Sequence, residues 1–292
     1  MKEVQGIITP MVTPFLRGEE DRESVARLLE FMKESGVAAA FPMGSTGLFT
    51  CFGREEHARF IELVSGLLPA GMRLLAGVGR NAVDDTLYVA KRAADSGADA
   101  AVVVTPYYIR MSQRAISDYY AKVADSLDLP VIVYNIPQFT GNPVLPDTLA
   151  SLAERHPNIA GVKDSSGDLR TTAAYVYTLP QGVRVYQGQD DLLLPSMALG
   201  VAGGVCGTTN FSSHAVGLWR SGVGSQGARE ANAKVIRVMK ALAASEFPKG
   251  YYYLFQKVVA GRGKPSGYLP FPVEDLSSKE EDELYGVLRS VL

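Results

Sequence analysis

The stretch "AAVVVTPYYIRMSQRAISDYYAKVADSLDLPVIVYNIP", residues 100–137, contains two short β-rich apolar runs separated by a helical pattern. The runs are "AAVVVTPYY" (100–108) and "PVIVYNIP" (130–137), and turn-forming residues end each of them. Between them, apolar side chains recur at the spacings of three and four that are typical of an amphipathic helix: Ile116, Tyr120, Val123 and Leu127. The stretch therefore predicts one strand-helix-strand unit, with Ser112 as the N-cap of its helix.

The same alternation of strand and helix continues along the first 225 residues. Six further runs are predicted strands: "GIITPMVTPF" (6–15), "AAFPMGSTG" (39–47), "RLLAGVG" (73–79), "NIAGVKDSS" (158–166), "RVYQGQD" (184–190) and "GGVCGTTN" (203–210). Asn81 is the predicted N-cap of the third helix. Continuously apolar strands alternating with amphipathic helices indicate an α/β fold with a helix-covered parallel sheet. Eight such units favour a closed (β/α)8 TIM barrel, with an open doubly wound sheet as the alternative.

The strand pattern stops after about residue 225. The segments "REANAKVIRVMKALAASEF" (229–247) and "EDELYGVLRSVL" (281–292) are predicted helices, joined by the Gly- and Pro-rich "GRGKPSGYLPFP" (261–272). We therefore expect a catalytic barrel over 1–225 and a helical C-terminal extension over 226–292. No linker separates the two parts, so the extension is expected to pack on the barrel or on a neighbouring subunit.

Composition excludes several classes of protein. The 292 residues are 47% apolar and 21% charged, which is ample for a large core. Lys and Arg total 29 against 31 for Asp and Glu, so no basic excess predicts a nucleic-acid partner. No window approaches the roughly 18 to 20 apolar residues that a membrane-spanning helix requires, and the start carries no leader pattern. We expect a cytoplasmic protein without a membrane partner.

The cysteines and histidines do not predict a metal site. Cys51 and Cys206 lie far apart and match no metal-ligand spacing, so both are expected to be free thiols. His57, His156 and His214 fall in helical or connecting segments rather than at strand ends. A zinc-dependent aldolase or hydrolase requires several imidazoles or carboxylates at one mouth. The sequence therefore predicts neither a metal nor an organic cofactor.

In a TIM barrel, the C-terminal ends of the strands carry the chemistry, and one of the predicted strands ends in a lysine, Lys163. A lysine amine is a nucleophile only when it is neutral, and an apolar environment disfavours its charged form. The neutral amine condenses with a ketone to give a Schiff base, whose protonated imine accepts the electrons of an adjacent carbon–carbon bond. From position alone a second interpretation stays open, in which Lys163 reaches solvent or pairs with Asp164.

Hydroxyl groups at neighbouring strand ends suit proton transfer and carboxylate binding. A phenol at Tyr134 is able to exchange a proton with a substrate hydroxyl, and Tyr108 with Ser45 or Thr46 is able to relay it. The turn "GSTG" (44–47) offers successive backbone N–H groups, which suit a carboxylate. The last predicted strand is followed by "TTNFSS" without glycine, which argues against a phosphorylated substrate.

Six motifs in order resemble the dihydrodipicolinate synthase and N-acetylneuraminate lyase family of class I, Schiff-base aldolases: "ITPMVTPF", "GSTG", "TPYY", "YNIP", "GVKDSS" and "GQDD". The resemblance covers residues 6 to about 225. It implies that Lys163 forms the Schiff base with pyruvate or a longer 2-oxo acid and that Tyr134 donates and accepts the proton. It also implies a relay of Ser45 and Tyr108, with the tyrosine supplied by the partner subunit of a dimer, and a homotetramer of two dimers.

The same resemblance implies a set of substrate-binding residues. Ser45 and Thr46 would hold the carboxylate of the keto acid, and Val205 would line the pyruvate pocket. Arg110 would meet the distal polyol or acid group of the substrate. Three residues complete the set: Ser165, Gly188 and Asp190.

At two positions the sequence differs from the residues that are usual in the synthases, and these differences narrow the expected activity. Phe139 stands where the synthases usually carry an arginine that binds the carboxylate of the incoming aldehyde, and Leu48 stands where a glutamate is usual. Leu48 and "PYYIRMS" (106–112) are similar to the archaeal 2-keto-3-deoxygluconate aldolases, although Ile136 replaces a tyrosine of those enzymes. We therefore expect a carbon–carbon lyase acting on 2-keto-3-deoxy sugar acids. The alternatives are a dihydrodipicolinate synthase and a catalytically silent barrel that binds 2-oxo acids.

Overall fold

The structure is a computed structural model that describes residues 4–16, 19–261 and 275–291. Eight parallel strands form a closed barrel: β1 (Gly6–Pro10), β4 (Ala39–Phe41), β5 (Arg73–Gly77), β6 (Ala100–Val104), β7 (Val131–Asn135), β8 (Ile159–Asp164), β9 (Arg184–Gln187) and β10 (Gly203–Val205). Their order around the barrel is β1-β10-β9-β8-β7-β6-β5-β4. The remaining two strands, β2 (Phe15–Leu16) and β3 (Glu19–Glu20), form an antiparallel pair after β1. The prediction of a closed TIM barrel is confirmed, and the open sheet is excluded.

Helices follow each barrel strand and cover its outer face. They are α1 (Arg22–Ser35), α2 (Arg54–Leu67), α3 (Val83–Asp95), α4 (Gln113–Asp125), α6 (Pro146–Arg155), α7 (Leu169–Thr178), α8 (Leu193–Leu199) and α9 (His214–Ser221), with one short turn of helix, α5 (Pro137–Thr140), inserted after β7. The apolar residues that the sequence pattern places on one face of α4 are buried, including Ile116, Tyr120 and Val123. Burial of this stripe, rather than helix propensity alone, holds the helix on the barrel.

One of the two predicted caps is correct. Ser112 precedes α4, and its hydroxyl accepts from the N–H of Ala115 at 3.2 Å. Asn81 does not cap α3, because the N-cap of that helix is Ala82, which makes no side-chain hydrogen bond to the helix. Oδ1 of Asn81 instead accepts from the N–H of Tyr107 at 2.7 Å. The amide therefore joins the loop after β5 to the loop after β6, where the donor has left the sheet and requires an acceptor.

Three helices follow the barrel: α10 (Gln226–Leu242), α11 (Lys249–Phe255) and α12 (Ser278–Val291). Helix α10 packs on α9, α11 packs on a 3₁₀ turn at Gly207–Asn210 after β10, and α12 packs on α10. The sequence pattern did not predict α11. Of the predicted connector 261–272, residues 262–272 lie outside the described residues. Within the described part of the chain, no helix is long and apolar enough to cross a membrane.

A buried histidine links the stability of this barrel to pH. His57 in α2 is fully buried, and its Nε2 lies 2.7 Å from the carbonyl oxygen of Gly77 while its Nδ1 lies 3.2 Å from Nη1 of Arg80. Desolvation is the largest cause that lowers the pKa of His57, to about 4 from 6.5. As the pH falls below about 6.5, the unfolded chain therefore binds a proton before the folded chain does, and the free energy of unfolding decreases.

We expect His57→Gln to remove this pH dependence while an amide keeps one donor and one acceptor in place. Between pH 7 and pH 4.5 the native chain should lose about 2 to 3 kcal/mol of unfolding free energy through His57, and the variant should not. Urea unfolding at the two pH values measures the difference. His156→Gln is the matched control, since Nδ1 of that ring lies 2.9 Å from the exposed carboxylate of Asp125. If the unfolding free energies of the native chain and of His57→Gln changed equally between the two pH values, His57 would not be the source of the pH dependence.

Candidate active site

A cavity of about 360 Å³ opens at the C-terminal ends of the barrel strands. Eight of the ten predicted site residues line it: Ser45, Thr46, Tyr134, Lys163, Ser165, Gly188, Asp190 and Val205. The other two, Tyr108 and Arg110, do not line it within a single chain. The strand ends thus bring together most of the predicted residues in one cavity, which we call the reaction cavity.

Strand alternation places Lys163 in the reaction cavity and its neighbour Asp164 outside it. In the sheet Tyr134 pairs with Lys163, and Asn135 pairs with Asp164. Because successive side chains point to opposite faces, Lys163 and Tyr134 share the inner face. The Asp164 carboxylate accepts hydrogen bonds from four neutral donors: Nδ2 of Asn135, N–H of Ser166, Oγ of Ser166 and Oγ1 of Thr172. The interpretation in which Lys163 pairs with Asp164 is therefore wrong.

Lys163 is almost fully buried, with 4% of its surface exposed, so it does not reach solvent either. Its Nζ lies 3.8 Å from the ring centroid of Tyr134 and 4.9 Å from that of Phe41. Among the described residues, no carboxylate forms an ion pair with it. A lysine held against two aromatic faces, and free of a fixed anionic partner, is positioned to react with a carbonyl carbon.

Position 188, beside Lys163, must be glycine because there is no space for a side chain. A Cβ atom at position 188 would lie 3.1 Å from Cε of Lys163 and would collide with Oγ of Ser165. The bare glycine therefore lets the loop after β9 approach the strand that carries the lysine. This gives a steric reason for glycine in the "GQDD" motif.

The phenol of Tyr134 and the hydroxyl of Ser45 are within hydrogen-bonding distance, at 3.3 Å. In the turn that holds Ser45, the N–H of Gly47 donates to Gly44 and the N–H of Leu48 donates to Ser45, both at 3.0 Å. Among the described residues, the N–H groups of Ser45 and Thr46 have no acceptor. These two backbone donors beside the hydroxyl of Ser45 suit a bound carboxylate.

Asp190 holds two loops of the cavity wall together. Its carboxylate accepts from the N–H groups of Gly207 and Thr208, each at 2.9 Å, and from the Thr208 hydroxyl at 2.6 Å. Burial raises the pKa of Asp190, and the hydrogen bonds from Thr208 and Gly207 oppose that rise. The carboxylate therefore fixes the turn after β10 against the loop after β9, next to Val205.

Tyr108 lies on an ordered loop but points away from its own cavity. It is 90% exposed with φ of +76°, and Ile109 beside it is 68% exposed. The side chain of Asn142 holds this loop, since it donates to the carbonyls of Pro106 and Ile109 and accepts from the N–H of Met111, each at 2.8 Å. The exposed phenol is therefore presented by a fixed backbone.

A second cavity of about 450 Å³, the side cavity, shares Ser45 with the reaction cavity. Its other lining is mostly apolar and includes Leu48, Phe49, Val104, Tyr107 and Phe247. Phe139 and Ile136 line both cavities. The two cavities therefore adjoin at these apolar side chains.

The C-terminal helices complete the wall of the reaction cavity, which sequence patterns did not predict. Five residues of α10, α11 and the segment between them line the cavity: Met239, Leu242, Glu246, Phe247 and Tyr251. The aromatic ring of Phe247 packs on Phe139 with a centroid distance of 5.5 Å. Gln138 from α5 also lines the cavity and was not predicted. Gln138 directly follows the "YNIP" motif, so its place after a strand end is a signal that could have found it. No motif or strand end marks the positions from the C-terminal helices.

A buried lysine beside a phenol and a hydroxyl at the mouth of a TIM barrel defines a carbon–carbon lyase of the Schiff-base type. The chain belongs to the dihydrodipicolinate synthetase family, whose model matches residues 3–290. The resemblance inferred from the six motifs is thereby confirmed.

Individual relatives fall into two groups of enzymes. A 2-dehydro-3-deoxy-D-gluconate/2-dehydro-3-deoxy-phosphogluconate aldolase of Picrophilus torridus is 38% identical over 253 residues, which are 85% of this chain and 93% of the relative. The solved 2-keto 3-deoxygluconate aldolase of Picrophilus torridus has a TM-score of 0.86 at 36% identity and covers 94% of this chain. A 4-hydroxy-tetrahydrodipicolinate synthase of Geotalea uraniireducens is 31% identical over 288 residues, 98% of each chain. The dihydrodipicolinate synthase structure from Aquifex aeolicus has a TM-score of 0.91 at 30% identity over 98% of this chain.

Proposed function

We propose that this enzyme is a class I aldolase that cleaves or forms 2-keto-3-deoxy sugar acids, such as 2-keto-3-deoxygluconate, with pyruvate as the common product or substrate. One observation carries the proposal: Lys163, Tyr134 and Ser45 converge in a cavity whose described lining contains no arginine. The aldehyde used by a synthase carries a carboxylate, which would need an arginine guanidinium to bind it. A polyol aldehyde has no carboxylate and does not need one.

In the proposed cleavage, the neutral amine of Lys163 attacks C2 of the substrate. The phenol of Tyr134 donates one proton, and the keto oxygen leaves as water to give a protonated imine and a Tyr134 phenolate. Tyr134 accepts the proton of the C4 hydroxyl while the C3–C4 bond breaks, and the aldehyde departs. The bonding electrons pass into the C2 imine and form an enamine. Tyr134 then donates this proton to C3, and water hydrolyses the imine to release pyruvate and regenerate Lys163, returning a proton to Tyr134. The substrate carboxylate binds at the N–H groups of Ser45 and Thr46.

The proton relay is completed across a dimer in this proposal. The partner's Tyr108 enters the side cavity and approaches Ser45, which is supported by the exposure of this phenol, its fixed loop and the apolar lining beside Ser45. Two dimers form the proposed homotetramer. Ser165, Gly188, Asp190 and Val205 enclose the pyruvate portion. A cytoplasmic location stays a prediction.

The alternative is a dihydrodipicolinate synthase, which is favoured by relatives that match this chain over nearly its whole length. Two assays separate the possibilities: release of pyruvate from 2-keto-3-deoxygluconate, and condensation of pyruvate with aspartate semialdehyde. We expect kcat/KM for the sugar acid to exceed that for the semialdehyde by about 100-fold or more, because a lost bidentate carboxylate contact costs several kcal/mol. The opposite ranking would identify a synthase. Pyruvate binding without turnover of either substrate would identify the silent barrel.

A further inference from the structure

Two adjacent phenols of α11 have very different hydrogen-bond partners. The hydroxyl oxygen of Tyr252 accepts from the N–H of Thr13 at 3.0 Å. The hydroxyl of Tyr251 has only one partner among the described residues, Sδ of Met239 at 3.7 Å. A thioether is a weak acceptor, so the phenol of Tyr251 retains most of its hydrogen-bonding capacity.

Tyr251 forms part of the wall of the reaction cavity. Tyr251 is 9% exposed, and both it and Met239 line the cavity. Burial, together with the negative charges of Asp190 and Asp191, raises the pKa of Tyr251 well above its usual value. The phenol is therefore neutral under all working conditions and keeps its proton for donation.

The ring of Tyr251 is fixed in place. A Cβ atom at Gly207 would lie 2.5 Å from Cε1 of Tyr251, so the ring rests directly on the backbone of the turn after β10. The rings of Phe211 and Phe247 flank it at centroid distances of 6.2 and 5.7 Å. Because Asp190 holds the same turn through Gly207, Tyr251 is positioned before a substrate arrives.

The other polar groups on this wall are already engaged. Oγ of Ser245 donates to the carbonyl of Leu242 at 3.1 Å, and the carboxylate of Glu246 pairs with Nζ of Lys249 at 2.9 Å. The neighbouring side chains, Met239 and Phe247, are apolar. Tyr251 therefore supplies the hydroxyl best placed to bind a polar group that enters between the C-terminal helices and the barrel.

We propose that Tyr251 is a specificity-determining residue whose hydroxyl binds a hydroxyl group of the aldehyde half of the substrate. This inference rests on the proposed aldolase function. The pyruvate half is held at the strand ends by Lys163 and the "GSTG" turn, so the wall formed by the extension serves the remainder of the molecule. The phenol exchanges its contact with the Met239 sulfur for a hydrogen bond with the substrate.

Two aldehydes of equal length test the proposal in condensation with pyruvate: glyceraldehyde, which carries two hydroxyls, and propanal, which carries none. For Tyr251→Phe we expect kcat/KM with glyceraldehyde to fall about 10-fold to 30-fold, mainly through KM, because one hydrogen bond in a buried site is lost. With propanal, Tyr251→Phe should have the same kcat/KM as the native enzyme. Tyr252→Phe is the matched control and should leave the ratio of the two kcat/KM values unchanged.

The outcomes separate the two proposals. Equal losses with both aldehydes, or no loss with glyceraldehyde, would overturn the role of Tyr251 and leave the aldolase function standing. Failure of the native enzyme to condense pyruvate with either aldehyde would overturn both. Reduction of the pyruvate adduct with borohydride serves as a folding readout, because Tyr251→Phe should still form it at Lys163.

Discussion

Lys163→Ala is expected to lose the pyruvate adduct completely and to lower kcat by at least about 10⁴-fold, since the reaction then has no nucleophile to form an imine. The native protein, incubated with pyruvate and borohydride, should gain one reduced pyruvate group per chain. Mass spectrometry of the intact protein and of its peptides measures this gain. The modified peptide should be the one that contains Lys163, because its Nζ lies inside the reaction cavity against the ring of Tyr134.

Lys249→Ala provides a matched control for this experiment. The side chain of Lys249 is only 10% exposed, but its ammonium group is paired with the carboxylate of Glu246. Lys249 does not line the reaction cavity, so this variant should keep the full adduct. A reduced adduct on any other lysine would contradict the assignment. No adduct in folded native protein would return the chain to the silent-barrel hypothesis.

The position of the two central residues of the candidate site could be predicted because both lie at strand ends. Lys163 and Tyr134 lie in continuous apolar runs, and in a TIM barrel the ends of such runs meet at one rim. Residues that are far apart in sequence thereby come together without any knowledge of their contacts. The same rule explains why Ser45 and Gly188, which follow two other strands, also reach this cavity.

The relation of Lys163 to Asp164 shows where the sequence alone was ambiguous. A lysine followed by an aspartate suggests an ion pair, yet the two residues point to opposite faces of β8. The carboxylate is satisfied by neutral donors that come from β7 and α7, such as Asn135 and Thr172. Those partners depend on how the helices cover the barrel, and a local string of residues does not specify that.

Other features depend on contacts that no spacing rule encodes. Asn81 resembles a helix cap, but a nearby loop supplies it with a different donor, the N–H of Tyr107. Tyr251 lies in α11, a helix that the apolar pattern of the extension did not predict, and the same pattern did not predict the cavity wall. Tyr108 is exposed in one chain, so its proposed role needs a second copy. Local patterns predict elements, whereas partners across the fold follow from packing.

Tyr134→Phe is expected to reduce kcat for cleavage of 2-keto-3-deoxygluconate by about 100-fold to 10,000-fold, the usual range for loss of a general acid–base group. The variant keeps the ring that supports Nζ of Lys163 and removes only the hydroxyl that lies 3.3 Å from Oγ of Ser45. The imine should therefore still form, so prolonged incubation with pyruvate and borohydride should still label Lys163. The expected combination is a retained adduct with slow carbon–carbon bond cleavage.

Tyr186→Phe is the matched control, because Tyr186 is a buried barrel phenol that pairs with Lys163 in the sheet. Its hydroxyl donates to the carbonyl of Val4 at 2.8 Å, and Tyr186 does not line the reaction cavity. Removing that hydroxyl should cost about 1 kcal/mol of unfolding free energy and leave kcat unchanged. If Tyr134→Phe kept more than about a tenth of the native kcat, the loss would be too small for general acid–base catalysis. The proton would then pass through another group, and the hydroxyl of Ser45 would be the next candidate because it is the partner that Tyr134 already contacts.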